Sequence, residues 1–313
     1  MKKNDLFTFG EIMAVFLTAS NQSLEFEQNY LLQAAGAEAN VSVAVTNLGL
    51  SVKFLSKVGS DKLGMFVISK LREYGINTNH IKEVKSPTGL MIRNFDSHRE
   101  LETLYYRKNS AGSTLSENDI RESDISNSRW LHITGISMAI SENSYLAVLK
   151  AAKIAQRNKI CVSLDLNIRK KLWTDEEAAK KIKTILPYVN FLFGGVKEYK
   201  IIWNHDSSER NLRAASEFGI ENCIMTNGEE KIQFISGKVF DHYSPIKVET
   251  QDSVGAGDAF VGGTIAGILG GMKVADAIEQ GSQCGAIVAS SIGDWNRKIA
   301  GKNGILKLEG SYE

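Results

Sequence analysis

The sequence is poor in the residues that mark linkers and covalent cross-links. Its 313 residues include only three prolines and no proline-rich stretch or repeat, so we expect residues 1–313 to form a single domain. The three cysteines, Cys161, Cys223 and Cys284, are isolated from one another and odd in number. This spacing excludes a disulfide framework and a closely spaced zinc motif, and it predicts buried thiols in a reducing compartment.

The sequence also lacks a strong net charge and a long apolar run. Lysine and arginine together number 37, and aspartate and glutamate together number 36, so no overall field favours nucleic acid or an anionic membrane. The opening stretch MKKNDLFTFGEIM carries two lysines but no apolar signal-peptide core, and no segment approaches the length of a membrane span. We therefore predict a cytoplasmic protein with no nucleic-acid partner and no membrane partner.

Short apolar runs alternate with longer amphipathic segments through most of the chain. Near-continuous apolar runs are typical of strands that are buried on both faces, whereas spacings of three and four residues indicate helices. The predicted strands span 52–59, 130–134, 160–166, 189–193, 223–226 and 242–250, and the predicted helices span 62–74, 141–156, 175–185, 207–218 and 256–269. This order predicts an α/β fold with a central, mainly parallel sheet, helices on both faces, and ligands at the carboxyl ends of the strands.

Two segments, 11–34 and 87–108, interrupt this alternation. Both show strand-like patterns and few helix signals, and in the second the runs GLMIRNF and LETLYYRK flank the polar turn DSHRE, which indicates a β-hairpin. We expect the two segments to form a small β-sheet lid over the strand ends. Because such a lid exposes apolar strand edges, we also expect a homo-oligomer that forms through the lid.

The glycine-rich turn DSVGAGDAF at 252–260 predicts an anion site. Gly255, Ala256 and Gly257 leave backbone N–H groups bare at the start of a predicted helix, where the helix dipole adds partial positive charge. Asp258 brings a carboxylate into the same turn. It is either an ordinary complement to the helix dipole or a base that accepts the proton of an attacking hydroxyl.

Two other phosphate-binding motifs fit this sequence poorly. SGKV at 236–239 lacks the upstream glycine and the hydroxyl residue of a Walker A loop. Gly255 and Gly257 match a dinucleotide fingerprint, but Phe260 stands where that fingerprint needs a small residue, which disfavours a nicotinamide oxidoreductase. Phosphoryl transfer, by contrast, needs an anion cradle and a proton-accepting carboxylate side by side, and this turn provides both.

Three stretches carry a family resemblance that extends over essentially the whole chain. DSVGAGDAF looks like the D-T-x-G-A-G-D signature of the ribokinase, or PfkB, family of carbohydrate kinases. AAGAEANVSVAVTNLG at 34–49 and VGSDKLG at 58–64 resemble the amino-terminal signature of that family and the segment that follows it. Within the family, GEIM, GAEANV, YYRKNSAGSTL and VSLDLNIRKKLW are most similar to 2-keto-3-deoxygluconate kinases.

Polar residues at two predicted strand ends suit a sugar acid. Tyr105 and Arg107 share one face of a strand in the lid, and Asp165, Asn167 and Arg169 share one face at the end of a buried strand. An arginine can grip a carboxylate with two hydrogen bonds, although the lid residues could equally be ordinary surface charges. Because a neutral hexose would leave one of the two arginines unpaired, the pair favours an acidic sugar.

The resemblance implies a ribokinase-like fold, ATP, Mg²⁺ and, near Asp252, a possible monovalent cation. It implies that Asp258 is the base, that the backbone of Gly255, Ala256 and Gly257 forms the anion hole, and that Glu198 holds Mg²⁺ indirectly through water. Gly195 stands where the family motif around Glu198 has asparagine. The implied sugar contacts are Gly36, Asn40, Tyr105, Arg107, Arg169 and Asp258, and the implied nucleotide contacts are Asn167, Thr226, Gly228, Gly257 and Gly285.

These observations predict an ATP-dependent kinase that phosphorylates a hydroxyl of 2-keto-3-deoxygluconate. A fructokinase or another neutral-sugar kinase of the same family is the alternative within this class. Outside it, the alternatives are a nicotinamide oxidoreductase and a catalytically silent sugar-sensing module.

Overall fold

The large sheet of the protein is mainly parallel. The structure is a computed structural model that describes residues 3–20, 22–95 and 101–296. Neighbouring strands are parallel from one edge of the sheet to its seventh strand, and the eighth strand is antiparallel to both of its neighbours. In spatial order the strands are β5 (Ile81–Val84), β4 (Val52–Gly59), β1 (Asn4–Phe9), β8 (Ser128–Thr134), β9 (Cys161–Asp165), β10 (Phe191–Gly195), β11 (Asn222–Thr226), β12 (Ile232–Ser236) and β13 (Val239–Tyr243).

Helices cover both faces of this sheet. Neighbouring residues of one strand belong to different hydrophobic clusters, as Phe191 and Leu192 do, which is the pattern of a strand buried on both sides. Among the described residues, no helix is long and apolar enough to span a membrane. The helices are α1 (Ala37–Asn47), α2 (Lys62–Glu73), α3 (Glu122–Ser126), α4 (Gly135–Ala139), α5 (Glu142–Arg157), α6 (Asp175–Ile185), α7 (Val196–Trp203), α8 (Ser208–Glu217), α9 (Ala256–Leu269) and α10 (Val274–Ala289). Short 3₁₀ turns lie at Gly112–Thr114, Glu117–Asp119 and Leu186–Tyr188.

A separate four-stranded sheet, which we call the small sheet, comes from the two segments that interrupt the sequence pattern. Its two central strands are parallel to each other, and each outer strand is antiparallel to its neighbour. The predicted hairpin is therefore present as an antiparallel pair, whereas its turn at 96–100 lies outside the described residues. In spatial order the strands are β3 (Tyr30–Ala35), β2 (Met13–Thr18), β6 (Gly89–Arg93) and β7 (Thr103–Tyr106).

The predicted strand over 242–250 is wrong. The structure ends β13 at Tyr243, which pairs with Ile232, the first residue of β12. Beyond that register the neighbouring strand has no residue to pair with, and Pro245 has no N–H to donate. The chain instead crosses to α9 without regular structure, which brings the glycine-rich turn to the carboxyl ends of the central strands.

Candidate active site

The glycine-rich turn forms the start of α9. Gly255 has a left-handed backbone (φ = 85°), and a Cβ there would lie 2.9 Å from the backbone of the loop after α10, so this position requires glycine. The N–H group of Ala256 donates to the carbonyl of Ser253 at 3.3 Å. The N–H groups of Gly257 and Asp258 belong to the first turn of α9, which has no intrahelical acceptors, and the helix dipole there favours an anion.

Asp258 is held by two side-chain amides from distant parts of the chain. Asn40 in α1 donates from Nδ2 to Oδ2 of Asp258 at 2.7 Å, and Asn167 after β9 donates from Nδ2 to Oδ1 at 3.3 Å. Asp258 is nevertheless 8% exposed, and each carboxylate oxygen can accept a further hydrogen bond. The carboxylate is therefore oriented by the protein and can still meet a ligand hydroxyl.

Burial raises the pKa of Asp258 from its ordinary value of 3.8 to about 7. The hydrogen bond from Asn40 and the positive charge of Arg169 oppose this rise. The negative charges of Asp294 and Glu38 add to it. A carboxyl group with a pKa near neutrality is well matched to accept a proton in a reaction at neutral pH.

A cavity of about 640 Å³ opens beside Asp258, with the small sheet on one side and the loops at the carboxyl ends of the large sheet on the other. Its size is in the usual range for small-molecule sites. The predicted substrate contacts all line it: Gly36, Asn40, Tyr105, Arg107, Arg169 and Asp258. Residues that are far apart in the sequence thus meet around one space, as the predicted sugar site requires.

Arg107 forms an ion pair within the protein, which the sequence did not predict. Its Nη2 lies 2.5 Å from Oε2 of Glu11, and the other oxygen of Glu11 accepts a hydrogen bond from Ser110. The ring centre of Tyr105 lies 5.5 Å from the guanidinium carbon of Arg107. Because Glu11 already balances the charge of Arg107, a neutral sugar would not leave this arginine unpaired. Arg169 is then the main residue that favours an acidic sugar.

Arg169 lies in the segment that follows β9, where the sequence predicted a polar cluster. Asn167 adopts a left-handed backbone (φ = 34°), which asparagine tolerates better than most residues, and its Nδ2 also lies 3.2 Å from Oδ2 of Asp165. Within the described ranges, no carboxylate lies within ion-pairing distance of the Arg169 guanidinium. Arg169 lines the cavity and is uncommitted in the sense that it forms no ion pair, although its positive charge acts at longer range on Asp165, Glu198 and Asp258.

A second cavity, of about 290 Å³, adjoins the first and shares part of its lining. Asp258, Gly255 and Arg169 line both cavities, so the carboxylate stands at their junction. The predicted phosphate and nucleotide contacts on this second cavity are Asn167, Glu198, Thr226, Gly255, Gly257 and Asp258. Asp258 could therefore contact both a phosphoryl group in this cavity and a hydroxyl in the larger one.

Three carboxyl groups line the second cavity. Burial raises the pKa of Asp165 well above its usual range, and the charges of Glu198 and Asp258 raise it further. Burial also raises the pKa of Glu198, although its two oxygens accept hydrogen bonds from the N–H groups of Ile168 (2.6 Å) and Gly195 (2.7 Å). A cation in this cavity would relieve the mutual repulsion.

The carboxyl groups are too dispersed to form a protein cage for a metal. Among the described residues, no cluster of three or more His, Cys, Asp or Glu side chains could hold a metal ion. Both oxygens of Glu198 already bind backbone N–H groups. The donors present therefore fit a hard cation that is held by phosphate oxygens and water, which is the usual environment of Mg²⁺.

The predicted nucleotide residues are only partly brought together. Gly228 has a left-handed backbone (φ = 57°) in the turn between β11 and β12, where Asn227 and Glu229 line a third, surface cavity of about 550 Å³. Gly285 lies in α10, and a Cβ there would lie 3.0 Å from the carbonyl oxygen of Ala256, so its observed role is close packing of two helices. Its contact with a nucleotide stays a prediction.

A buried ion cluster lies behind the glycine-rich turn, and the sequence did not predict it. Arg93, at the end of β6, pairs with both Asp252 and Asp294, and all three side chains are buried. The only local signal was the period of two along β6, which places Arg93 on the same inward face as Met91.

Comparison with known proteins decides the family. Residues 3–298 match the pfkB family carbohydrate kinase. The chain belongs to this family. The kinase is 29% identical to the 2-dehydro-3-deoxygluconokinase of Bacillus subtilis (strain 168), over 93% of this chain and 91% of the relative. It is 30% identical to the enzyme of the same name from Thermoproteus tenax (92% and 89% covered) and 28% identical to Fructokinase-2 of Oryza sativa subsp. japonica (93% and 89% covered).

Solved structures agree with the fold of the kinase. It superposes on a 2-dehydro-3-deoxygluconokinase from Thermotoga maritima with a TM-score of 0.86 and 25% identity, covering 94% of this chain and 96% of the other. It superposes on a putative Ribokinase II from E. coli, in complex with ATP and Mg²⁺, with a TM-score of 0.85 and 26% identity (93% and 94% covered). The predictions of a ribokinase-like fold and a carbohydrate kinase are confirmed, which sets aside the oxidoreductase and the silent sensor.

Proposed function

We propose that the kinase transfers the γ-phosphoryl group of ATP to a hydroxyl of 2-keto-3-deoxygluconate, the sugar acid also named 2-dehydro-3-deoxygluconate. The observation that carries this proposal is the uncommitted Arg169 guanidinium on the same cavity as Asp258. A sugar carboxylate would pair with that charge while a hydroxyl at the other end of the sugar meets Asp258. The relatives that carry this name support the choice of acid.

In the proposed reaction, Asp258 accepts the proton of the sugar hydroxyl. The hydroxyl oxygen bonds to the γ-phosphorus, the bond from that phosphorus to the β–γ bridging oxygen breaks, and ADP leaves with the bond's electron pair. The N–H groups of Gly257 and Asp258, at the positive end of α9, stabilise the charge on the transferred group. Gly255 keeps the turn in the shape that places these groups together.

On the sugar side, Gly36, Asn40 and Tyr105 complete the wall around Arg169. The Asn40 amide donates to Asp258 and Asp294 and accepts from Trp295 and Gly36, so its proposed contact with a sugar hydroxyl would replace one of these bonds. Arg107 acts together with Glu11, as a polar pair that can donate to the sugar without adding a net charge.

On the nucleotide side, we propose ATP with Mg²⁺, as in the E. coli neighbour. Asn167, Thr226 and Gly257 line the cavity for the transferred phosphate, and Gly228 lies in the adjoining turn. Glu198 would hold Mg²⁺ through water. When bound, the ion would supply positive charge to the phosphate oxygens. Because Arg93 already pairs with Asp252, the proposal includes no monovalent cation at that carboxylate.

We further propose that the small sheet acts as a lid and as the contact between copies of a cytoplasmic homo-oligomer. Its two outer strands carry large apolar side chains that are exposed in the single chain, at Leu31, Leu32, Leu104 and Tyr106. Light scattering on the purified protein tests this point. A mass of one chain at micromolar concentration contradicts it, and a multiple that Leu31→Glu reduces to one chain supports it.

Fructose is the second candidate acceptor. The Arg107–Glu11 pair leaves one uncommitted arginine rather than two, and the rice fructokinase is nearly as similar as the sugar-acid kinases. The deciding experiment measures ADP formation across a panel of sugars and sugar acids, with Asp258→Asn as the control for contaminating kinases. A higher kcat/KM for 2-keto-3-deoxygluconate than for fructose supports the proposal, and the reverse order overturns the choice of substrate.

A further inference from the structure

Arg93 joins the small sheet to the turn that carries Asp258. It is the last residue of β6, and its side chain is fully buried. Nη1 and Nη2 donate to the two oxygens of Asp252, at 3.1 and 2.8 Å, and Nη2 also donates to Oδ1 of Asp294 at 2.8 Å. One guanidinium thus holds two carboxylates that belong to segments on either side of α9 and α10.

Each carboxylate also accepts hydrogen bonds from residues in or next to the glycine-rich turn or from the amide that holds Asp258. Asp252 accepts hydrogen bonds from the N–H groups of Val254 (3.2 Å) and Gly293 (3.0 Å), which shapes the chain just before α9. Asp294 uses its second oxygen to accept from Nδ2 of Asn40 at 3.2 Å. That same amide donates to the carboxylate of Asp258.

We propose that Arg93 is a positioning residue for phosphoryl transfer, which fixes the turn through Asp252 and the Asn40–Asp258 contact through Asp294. The inference rests on the proposed role of Asp258 as base. A buried ion cluster is weak evidence for stability, because well-packed apolar residues often do as well, so its value here is the geometry that it imposes. A misplacement of about 1 Å at a reacting group costs about 10²-fold in rate.

Arg93 also lines the cavity proposed for the transferred phosphate, together with Gly257 and Asp258. Because it comes from the small sheet, the arrangement couples the position of that sheet to the position of the anion hole. A substrate that draws the small sheet onto the sugar cavity would act on the turn through this guanidinium.

The test compares Arg93→Lys, Arg93→Ala and Asp294→Asn with Lys57→Met, which breaks a buried ion pair with Asp119 (2.7 Å) away from both cavities. Circular dichroism first establishes that each variant is folded at the assay temperature. For Arg93→Lys and Asp294→Asn we expect kcat to fall by about tenfold or more, with the KM values for sugar and ATP within threefold of wild type. For Lys57→Met we expect lower thermal stability and an unchanged kcat.

Chemical rescue provides a readout that a merely structural role would not give. For Arg93→Ala we expect a loss of about 10²-fold in kcat and a partial recovery with tens of millimolar guanidinium chloride, but not with sodium chloride. If Arg93→Ala does not fold, Arg93→Lys and Asp294→Asn carry the test. Folded variants of both with kcat within threefold of wild type overturn the inference. If Asp258→Asn itself stays active, the proposed base fails first, and this inference fails with it.

Discussion

The side-chain amide of Asn40 donates to the carboxylate of Asp258 over 2.7 Å, although the two residues are 218 positions apart in the sequence. The indole N–H of Trp295 donates to the amide oxygen of Asn40 at 2.6 Å, so the amide nitrogen is turned toward Asp258 and Asp294. Asn40 therefore stabilises the ionised form of the base.

This contact predicts a specific pH dependence. Asp258 must be ionised to accept a proton, so kcat/KM should fall as the pH decreases below about 7. Asn40→Ala removes a hydrogen bond that lowers the pKa of Asp258, so the acidic limb of the profile should move to higher pH. The other charged groups that act on this carboxyl stay in place in the variant: Arg169, Asp294, Glu38 and Asp165. A profile of kcat/KM from pH 5 to 9 for both proteins checks this, and an unmoved limb contradicts it.

The raised pKa of Asp258 also predicts that this carboxyl group destabilises the folded protein at neutral and alkaline pH. The carboxyl titrates near 3.8 in the unfolded chain and near 7 in the folded protein, so the folded state keeps a proton that the unfolded chain loses between these values. The stabilisation that the folded state gains by binding this proton more tightly is fully present below pH 4 and is lost as the pH rises through 7. Asp258→Asn should therefore match wild type near pH 4 and exceed it at pH 8, by at most about 4 kcal/mol. Urea unfolding at the two pH values measures the difference, and a gain that is larger at pH 4 contradicts the assignment.

Gly255 and Gly257 should respond differently to the same substitution. Gly255→Ala places a Cβ on a left-handed backbone and 2.9 Å from the loop after α10, so we expect destabilisation of about 1–2 kcal/mol or more and a loss of activity. A Cβ at Gly257 meets no atom within 4 Å and faces the cavity proposed for the phosphate. Gly257→Ala should keep the stability of wild type but lower kcat or raise the KM for ATP. If Gly257→Ala loses as much activity and as much stability as Gly255→Ala, Gly257 is only a structural residue.

Arg169 should discriminate between a sugar acid and a neutral sugar. Loss of a charge-assisted hydrogen bond to a carboxylate costs about 1.5–3 kcal/mol, so Arg169→Met should lower kcat/KM for 2-keto-3-deoxygluconate by about 10–10²-fold. Its kcat/KM for fructose should change much less. Lys170→Met is the matched control, because Lys170 is the exposed neighbour that pairs with Asp175. Equal losses for both sugars would mean that Arg169 does not read the carboxylate.

Local signals located the predicted helices closely, although they did not predict α1, α3, α4 and α7. The sequence bounds for α6 and α9 agree with the structure, since Thr174 and Glu177 form a capping box at the start of α6 and glycine marks the start of α9. Strand length was less predictable, because β13 ends where β12 has no more residues to pair with. That limit is set by register and not by the residues of 242–250 alone.

For the site, the sequence could indicate which residues face a ligand. It could not indicate which of them already form ion pairs within the protein. Asp258, Asn167 and Arg169 stand beside strand and helix ends that the pattern located. The partners of Arg107 and Arg93 are 96 and 159 or more positions away, and nothing local indicated Glu11, Asp252 or Asp294 as those partners. Such pairings follow from the packing of the small sheet against the large one.

The most direct test of the account is the kcat of Asp258→Asn with ATP and the preferred sugar. The side chain keeps its size, and its one remaining oxygen can still accept from Asn40, whereas Asn167 loses its acceptor on this side chain. We predict that the variant is folded and binds sugar and ATP, while kcat falls by about 10²–10⁴-fold because no group accepts the hydroxyl proton. A folded variant that keeps more than about a tenth of the wild-type kcat contradicts the assignment of Asp258 as the base.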